Sequence, residues 1–239
     1  MNSICIATYN GEKYIKEQLN SILSQINEDD EIIISDDGSQ DKTLDVIQEI
    51  TDSRIVIIKN DSRRHGIIGN FQNALKHANG EYIFLSDQDD VWCKEKYLTV
   101  LKNLGTKVLV HHDSFLTDEH LNKINDSFYS IYHNGKGVLK NLIKSTYFGS
   151  HMAFHHSLLQ YSIPFPPTEE IGHDLWLGLM AEVNHYTVKF IPDKLIYYRR
   201  HFDAHCSLLN GSKRNLGVKM YGRLIMCYFL LKKFLNITN

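Results

Sequence analysis

The chain has 239 residues, enough for one large domain or two small ones with a substantial hydrophobic core. It contains 26 Lys and Arg against 28 Asp and Glu, a formal net charge of -2, and 43% of its residues are hydrophobic. These proportions are typical of a globular protein. They exclude a disordered or collagen-like chain, and they argue against a protein dedicated to nucleic-acid binding.

Short apolar runs alternate with helical patterns over the first 105 residues. Strands are predicted for residues 3–8, 31–35, 55–59 and 81–86. Helices are predicted to follow them, at residues 14–23, 41–50, 70–77 and around residues 97–101. This alternation of buried strands and helices is typical of an α/β fold with a mainly parallel sheet.

The second half of the chain is less regular. Strands are predicted for residues 107–111, 149–155, 187–191 and 195–198, and a helix for residues 174–182. A last helical pattern covers residues 219–234. Because no repeat, low-complexity tract or linker separates these segments, we expect one domain with a C-terminal appendage.

Charge is unevenly distributed along the chain. The first 203 residues contain 20 basic and 28 acidic residues, whereas the remainder contains six basic residues and no acidic one. The apolar run in this basic tail is too short to span a bilayer, which needs about 20 residues. The tail is expected either to pack as a core or homodimer-interface helix, or to make peripheral contact with an anionic membrane; the lack of acidic residues favours the membrane.

The cysteines and the N-terminus both bear on the cellular compartment. Cys5, Cys93, Cys206 and Cys227 form no CxxC pair. Such spacing in a chain of this length favours reduced thiols. The N-terminus also lacks the charged and apolar regions of a signal peptide. We therefore expect a cytoplasmic protein, with the inner face of the cell membrane as the place of any peripheral contact.

Polar clusters follow three of the four strands predicted in the first half. They are Thr8-Tyr9-Asn10, Asp36-Asp37-Gly38-Ser39 and Asp87-Gln88-Asp89-Asp90. Parallel strands bring their carboxyl ends to one edge of a sheet, where ligands bind. Carboxylates gathered there repel one another unless a cation neutralises them, and Mg²⁺ prefers oxygen ligands. Each cluster alone is also typical of a turn or a helix cap, but their joint occurrence favours a divalent-metal site.

These clusters and their surroundings resemble family 2 glycosyltransferases of the GT-A fold. The matching segments of the first half are residues 7–10, 35–39 with Asp41 and Thr43, 79–83 and 85–92. Residues 149–154, 173–174 and 198–201 look like the acceptor-side motifs of bacterial surface-polysaccharide members, particularly the rhamnosyltransferase-like branch. The resemblance covers roughly residues 3 to 205.

The resemblance implies an α/β fold of the GT-A class, Rossmann-like, with a mixed, mainly parallel central sheet flanked by helices. Residues 1–206 would form a single catalytic domain, with a nucleotide-sugar-binding half (1–105) and an acceptor-binding half (106–206), followed by the helical tail (207–239). The implied reaction is metal-dependent, inverting transfer of a sugar from a UDP- or dTDP-sugar to a hydroxyl of a saccharide or lipid-linked saccharide. Bacterial cell-surface polysaccharide synthesis is the implied process.

The resemblance also implies which residues bind the nucleotide. The matching positions are Thr8, Tyr9, Asn10, Glu12, Asp37 and Asp87. Tyr9 would offer an aromatic face to the base. Asp37 would accept a hydrogen bond from the N3–H group of uracil or thymine, and Asp87 would meet the ribose or the sugar.

The remaining implied roles concern the metal and the reaction. Asp89, the last carboxylate of a DxD motif, is expected to bind Mn²⁺ or Mg²⁺ together with His201. Asp174 is expected to be the general base that takes the proton of the acceptor hydroxyl. Contacts with phosphate or acceptor are expected from Arg199, Arg200, His173 and Trp92.

Two other functions use a similar arrangement of residues. A catalytically inactive nucleotide-sugar-binding protein would keep Tyr9 and Asp37 but lose the metal-binding or base carboxylate. A receiver-like phosphoacceptor domain also has Asp side chains at strand ends, but it would leave Asp174 without a role. The presence of Asp87, Asp89 and Asp174 favours an active transferase.

Overall fold

The computed structural model describes residues 1–61, 63–200 and 215–235. Its strands are β1 (Ser3–Thr8), β2 (Glu31–Asp36), β3 (Ile55–Lys59), β4 (Tyr82–Asp87), β5 (Val91–Trp92), β6 (Val108–Thr117), β7 (Lys123–Asn125), β8 (Met152–His155) and β9 (Thr187–Arg199). Its α-helices are α1 (Ile15–Leu23), α2 (Thr43–Gln48), α3 (Gly66–His77), α4 (Lys96–Asn103), α5 (Phe128–Tyr132), α6 (Val138–Ile143), α7 (Leu159–Ser162), α8 (His173–Val183) and α9 (Leu216–Phe234).

The described strands form one mixed sheet. Their order is β3-β2-β1-β4-β8-β6-β9-β5, with β7 paired to β6. The strand β1 pairs in parallel with β2 and β4, and β2 pairs in parallel with β3. Farther along the sheet β6 and β9 are parallel, whereas the other pairs are antiparallel. The α/β fold with a mixed sheet is therefore confirmed, and its uniformly parallel part consists of β1 to β4.

Helices cover both faces of β1, β2 and β4, which explains why the middle residues of these strands are apolar. The outer strand β3 is partly exposed, with Val56 43% and Ile57 37% exposed. In β1, Ile4 and Ile6 face a core shared with α1, α2 and α4, whereas Cys5 faces a second core shared with α3 and α8. In β4, Phe84 belongs to the first core and Leu85 to the second. Side chains alternate between the two faces of a strand, so successive residues in the middle of these strands must be apolar.

The strand β9 is a single strand of 13 residues, where the sequence pattern predicts two. His112 and Asp113 of β6 pair with Ile191 and Lys194, so the two residues between these partners, one of which is Pro192, are skipped. Proline lacks the N–H group that a regular ladder requires, and a bulge accommodates it. The strand therefore continues through a proline that interrupts the sequence pattern.

The strand β8 is shorter than the predicted strand 149–155, because Gly149–His151 forms a 3-10 turn. In this turn the carbonyl oxygen of Ser150 accepts a hydrogen bond from Lys96 Nζ (3.1 Å). A Cβ atom on Gly149 would lie 2.7 Å from His173 Nε2, so glycine permits the close approach of α8. The turn replaces regular strand pairing with contacts to α4 and α8.

The helix α9 packs on the domain through one side. Met226 and Gly222 are buried, and Ile225 and Phe229 are partly buried against the core. Among the described residues, none of the helices combines the length and hydropathy needed to cross a bilayer.

Three histidines are buried together between β6 and the turn before β8. The rings of His111 and His112 each lie with their centroid 5.3 Å from that of His151. His151 Nε2 lies 2.9 Å from the hydroxyl of Ser114. Burial lowers the pKa of His111 to about 3 and holds the pKa values of His112 and His151 well below their usual range. All three are therefore neutral packing residues in the folded protein.

These neutral histidines predict a fold that loses stability in mild acid. In the unfolded chain a histidine has a pKa of about 6.5, so below that pH the unfolded state binds more protons than the folded state. The free energy of unfolding should fall by about 1.4 kcal/mol per pH unit for each of the three as the pH drops from about 6.5 to 5. Urea unfolding at several pH values measures this slope.

The exposed His120 provides the matched control. His120→Gln should leave the pH slope of the unfolding free energy unchanged, since the side chain of His120 is already exposed to solvent in the folded protein. A free energy of unfolding that is the same at about pH 7 and pH 5 would contradict the burial of three neutral histidines.

Candidate active site

Three loops meet at the carboxyl edge of β1, β2 and β4. Thr8, the last residue of β1, pairs with the last residue of β2, and Ala7 pairs with Asp87, so the three strands end level. Gln88 links the loop after β1 to the loop after β4 through two hydrogen bonds. The N–H group of Tyr9 donates to Gln88 Oε1 (3.0 Å), and Gln88 Nε2 donates to the carbonyl oxygen of Tyr9 (3.1 Å). The polar clusters predicted at this edge therefore lie together.

Asp36 organises the turn after β2. Its Oδ2 accepts hydrogen bonds from the N–H groups of Gly38 (3.0 Å) and Ser39 (2.9 Å), and its Oδ1 accepts one from the hydroxyl of Thr8 (3.2 Å). Both Asp36 and Thr8 are buried. The structure thus places the side chain of Thr8 in the framework of the loops and not on their surface.

Asp37 is held at the edge by three groups. Its Oδ1 accepts from Asn60 Nδ2 (2.6 Å) and lies 2.9 Å from His65 Nδ1, and its Oδ2 accepts from the N–H group of Gly66 (2.7 Å). Gly66 begins α3, and the N-terminus of a helix stabilises a negative charge. A carboxylate has about four lone-pair sites, so Asp37 retains capacity for one further donor.

The loop after β1 carries one exposed aromatic ring and two residues that hydrogen-bond to a neighbouring loop. The side chain of Tyr9 is 49% exposed at the edge. Asn10 Oδ1 accepts from the N–H group of Gln40 (2.8 Å), and Glu12 Oε2 accepts from that of Lys42 (2.8 Å). Asn10 and Glu12 therefore join two loops, and Tyr9 remains available to a flat ligand.

Asp87, Asp89 and Asp174 converge at this edge. Asp174 lies in the first turn of α8, where the helix N-terminus favours a negative charge. Burial, Asp89 and Asp174, in that order of effect, raise the pKa of Asp87 to about 7. Asp90 lies buried behind them, and burial together with Asp89 and Asp87 raises its pKa well above the usual range. The carboxylates are close enough to repel one another, and a cation among them would relieve the repulsion.

The carboxylate oxygens at this edge are suitable ligands for a divalent cation such as Mg²⁺, which also keeps water or phosphate oxygens in its coordination shell. Asp87 and Asp89 supply carboxylates whose mutual repulsion a cation would offset. Within residues 1–61, 63–200 and 215–235, no group of three or more His, Cys, Asp or Glu side chains is placed to hold a metal ion. The protein would thus supply part of the shell. His201, the second predicted metal ligand, lies outside the described residues.

The two neighbouring arginines at the end of β9 differ in their partners. The guanidinium of Arg199 donates to the carbonyl oxygen of Asp89 (2.7 Å), to a carboxylate oxygen of Glu17 (2.6 Å) and to the carbonyl oxygen of Glu119. Arg200 is also buried, but its Nε and Nη1 have no hydrogen-bond partner in the part of the chain that the structure describes. The sequence alone predicts that only one of the two can face the site.

Lys96, which sequence reasoning did not single out, lies buried beneath the acidic edge. Its Nζ contacts the carbonyl oxygen of Ser150 and lies 4.3 Å from the ring centre of Trp92. Burial lowers the pKa of Lys96 to about 7, against the opposing effect of Asp90. Trp92 is 3% exposed and supports the edge from inside. Lys96 precedes the buried Val100 by four residues, so helical periodicity was the available signal for its burial.

His173 packs inside the domain at the start of α8. Its ring stacks on that of Phe71, with centroids 4.2 Å apart, and its Nε2 has no hydrogen-bond partner among the described residues. Burial lowers the pKa of His173, while Asp174 has the opposite effect. A neutral, stacked ring at this position orients the first turn of α8 and hence Asp174.

The fold is that of the GT-A transferases. The chain is similar in structure to TarS 1-349 from Staphylococcus aureus, crystallised in complex with UDP-GlcNAc, with a TM-score of 0.65 and 21% sequence identity. The similarity covers 87% of this chain and 61% of the TarS chain, so this chain spans about three fifths of that structure's length.

The sequence identifies the family. The model of the family described as "Glycosyl transferase family 2" matches residues 3–161. The chain is 30% identical over 240 residues to the Escherichia coli protein WfaP, a UDP-Glc:alpha-D-GlcNAc-diphosphoundecaprenol beta-1,3-glucosyltransferase, covering 95% of this chain and 91% of WfaP. It is 43% identical over 97 residues to the dTDP-rhamnosyl transferase RfbG of Shigella flexneri, covering 38% and 34% of the two chains. The chain therefore belongs to glycosyl transferase family 2, and a receiver-like domain is excluded.

Proposed function

We propose that this glycosyltransferase moves a sugar from a UDP- or dTDP-sugar to a hydroxyl of a lipid-linked saccharide, with inversion at the anomeric carbon and with Mn²⁺ or Mg²⁺ as cofactor. The observation that carries the proposal is the convergence of Asp87, Asp89 and Asp174. It brings two candidate metal-binding carboxylates and a candidate base, from the two halves of the chain, to one edge of the sheet. The process it serves is bacterial cell-surface polysaccharide synthesis.

The donor nucleotide occupies the loops after β1 and β2 in this proposal. The half-exposed ring of Tyr9 stacks on the base. The fixed carboxylate of Asp37 accepts the N3–H group that uracil and thymine carry and cytosine lacks. The names of the relatives support both nucleotides, because WfaP uses UDP-Glc and RfbG is a dTDP-rhamnosyl transferase.

Asp174 acts as the general base. It takes the proton of the acceptor hydroxyl while the hydroxyl oxygen forms a bond to the anomeric carbon. The bond from that carbon to the nucleoside diphosphate breaks, and its electron pair leaves with the diphosphate. Because attack comes from the face opposite the leaving group, the configuration inverts. The first turn of α8 stabilises the carboxylate that this role requires.

The charge of the leaving diphosphate is met by a cation and an arginine. A divalent ion held by Asp89, with Asp87 beside it, stabilises that charge when bound. Arg200 supplies the protein's own contact, because its buried Nε and Nη1 have no hydrogen-bond partner among the described residues, and such donors are costly to bury unless a ligand accepts from them. Arg199 is already engaged by Glu17 and by backbone carbonyl groups, so its role is to fix the loop that carries Asp89.

The lipid-linked acceptor is supported by a relative that matches nearly the whole chain, WfaP. WfaP is named for alpha-D-GlcNAc-diphosphoundecaprenol as its acceptor. The identity of 30% supports a saccharide on a lipid diphosphate as the acceptor class of this chain.

A panel of nucleotide sugars tests the donor part of the proposal. Calorimetric titration with Mn²⁺ present should show binding of UDP- or dTDP-sugars and much weaker binding of CDP- and GDP-sugars. Tyr9→Ala should weaken binding by about tenfold, since stacking of a base on an aromatic ring contributes about 1–3 kcal/mol. Lack of binding by every uridine and thymidine donor would contradict the proposal. Binding without transfer to any acceptor would favour the inactive nucleotide-sugar-binding protein.

A further inference from the structure

An exposed apolar stripe runs along α9 (Leu216–Phe234). Its members recur at intervals of three and four residues and are between 59% and 68% exposed: Tyr221, Leu224, Tyr228, Leu231 and Leu235. They lie on the side of the helix opposite to the buried Gly222 and Met226. We call these five residues the α9 stripe. They face away from the domain, so packing of the domain core does not explain them.

A second apolar patch lies on α6, next to α9. Leu139 and Ile143, one helical turn apart, are 77% and 78% exposed. A guanidinium nitrogen of Arg223 on α9 donates to the carbonyl oxygen of Ile143 (2.6 Å), which ties the two helices together. Single exposed apolar side chains are ordinary, but six on two adjoining helices, with Leu235 at the C-cap of α9, mark an interaction surface. We call the α9 stripe with Leu139 and Ile143 the docking surface.

Positive charge is concentrated on the same two helices. The cations of α6 and its flanks are Lys136, Lys140 and Lys144, and those of α9 are Lys219, Arg223, Lys232 and Lys233. Neither residues 127–168 nor residues 215–235 contain Asp or Glu, although the first 203 residues carry a net charge of -8. A cleft of about 380 Å³ between the helices is lined by Lys144, Lys219 and Arg223, with Glu170 as its acidic residue. This cleft has the charge and size to receive an anionic headgroup.

We propose that the docking surface binds an anionic lipid bilayer, with the apolar side chains entering the boundary between headgroups and acyl chains. A surface helix that combines an exposed apolar stripe with Lys and Arg side chains is the type that lies in a membrane interface. Each cation near an anionic leaflet adds about 1 kcal/mol of attraction. A second copy of the chain fits less well, because a two-fold contact through the docking surface would bring the net positive charge of α6 and α9 in one copy close to that of the other. This inference does not depend on the donor or the acceptor.

Flotation of the full chain with vesicles tests the proposal. Vesicles of phosphatidylglycerol and phosphatidylcholine should bind the protein more tightly than vesicles of phosphatidylcholine alone, and salt should weaken the binding. The double variant Leu224→Asn, Leu231→Asn should reduce the partition coefficient by at least about tenfold. The double variant Leu139→Asn, Ile143→Asn should also reduce the partition coefficient, which tests the contribution of α6.

The matched control is Leu98→Asn, Ile124→Asn, which removes two apolar side chains of similar exposure on α4 and β7. It should leave vesicle binding unchanged. Nucleotide binding should survive in all these variants, which separates loss of docking from damage to the active site. Vesicle binding that the α9 substitutions leave unchanged would overturn the proposal. A second result would also overturn it: the original chain does not bind vesicles but forms a dimer in sedimentation velocity, and the α9 substitutions convert that dimer to a monomer. The α9 stripe would then be an interface between copies of the chain.

Discussion

The Asp174→Asn variant is expected to lower kcat by about two to four orders of magnitude while leaving donor binding nearly unchanged. Asparagine keeps the shape of aspartate but cannot take the proton of the acceptor hydroxyl. Asp174 Oδ1 accepts from the N–H group of Leu175 (2.7 Å), and an amide oxygen can accept the same bond, so the first turn of α8 should persist. Steady-state transfer rates and calorimetric titration of the donor measure the two effects separately.

The control for this variant is Asp126→Asn, which alters a carboxylate that is 78% exposed and pairs with Lys123. It should retain the kcat of the original chain. An Asp174→Asn variant with undiminished kcat would exclude Asp174 as the base. A variant that loses donor binding instead would show that Asp174 contacts the donor.

The Asp89→Asn variant is expected to remove the dependence of nucleotide binding on Mn²⁺ and to lower kcat/KM by at least about a hundredfold. The substitution removes the charge that the cation requires, whereas the backbone carbonyl of Asp89 can still accept from Arg199, so the loop should keep its position. Titration of UDP with and without Mn²⁺ measures the loss. Residual, metal-independent binding should remain, since Tyr9 and Asp37 are untouched.

Asp193→Asn is the matched control, because Asp193 is an exposed carboxylate on β9. It should preserve the response of UDP binding to Mn²⁺. A full response in Asp89→Asn would mean that other groups hold the cation, and a lowered thermal stability would show that Asp89 supports the fold instead.

Much of the first half of the fold could be predicted from local sequence. The strands β1 to β4 are short, have mostly apolar residues and are followed by turn residues, so each is recognisable without knowledge of its neighbours. Their parallel arrangement then places Asp37, Asp87 and Asp89 at one edge. Local sequence patterns are therefore sufficient to predict the location of a site that is assembled from the ends of adjacent parallel strands.

Other features depend on contacts between distant parts of the chain. The difference between Arg199 and Arg200 arises because Arg199 reaches Glu17 on α1, a residue 182 positions away. Two residues have structural roles that the sequence alone does not reveal either. The hydroxyl of Thr8 donates to Asp36, and Trp92 is covered by packing, so a residue beside a motif need not touch the ligand. Such partners follow from the tertiary fold and not from spacing along the sequence.

The most direct test of the central claim measures the release of nucleoside diphosphate. The reaction contains Mn²⁺, a UDP- or dTDP-sugar and a lipid-linked N-acetylglucosamine diphosphate. NMR then gives the anomeric configuration of the product. We expect acceptor-dependent release with inversion for the original chain, and almost none for Asp174→Asn or Asp89→Asn. Retention of configuration, or full turnover by both variants, would contradict the mechanism proposed for this edge of the sheet.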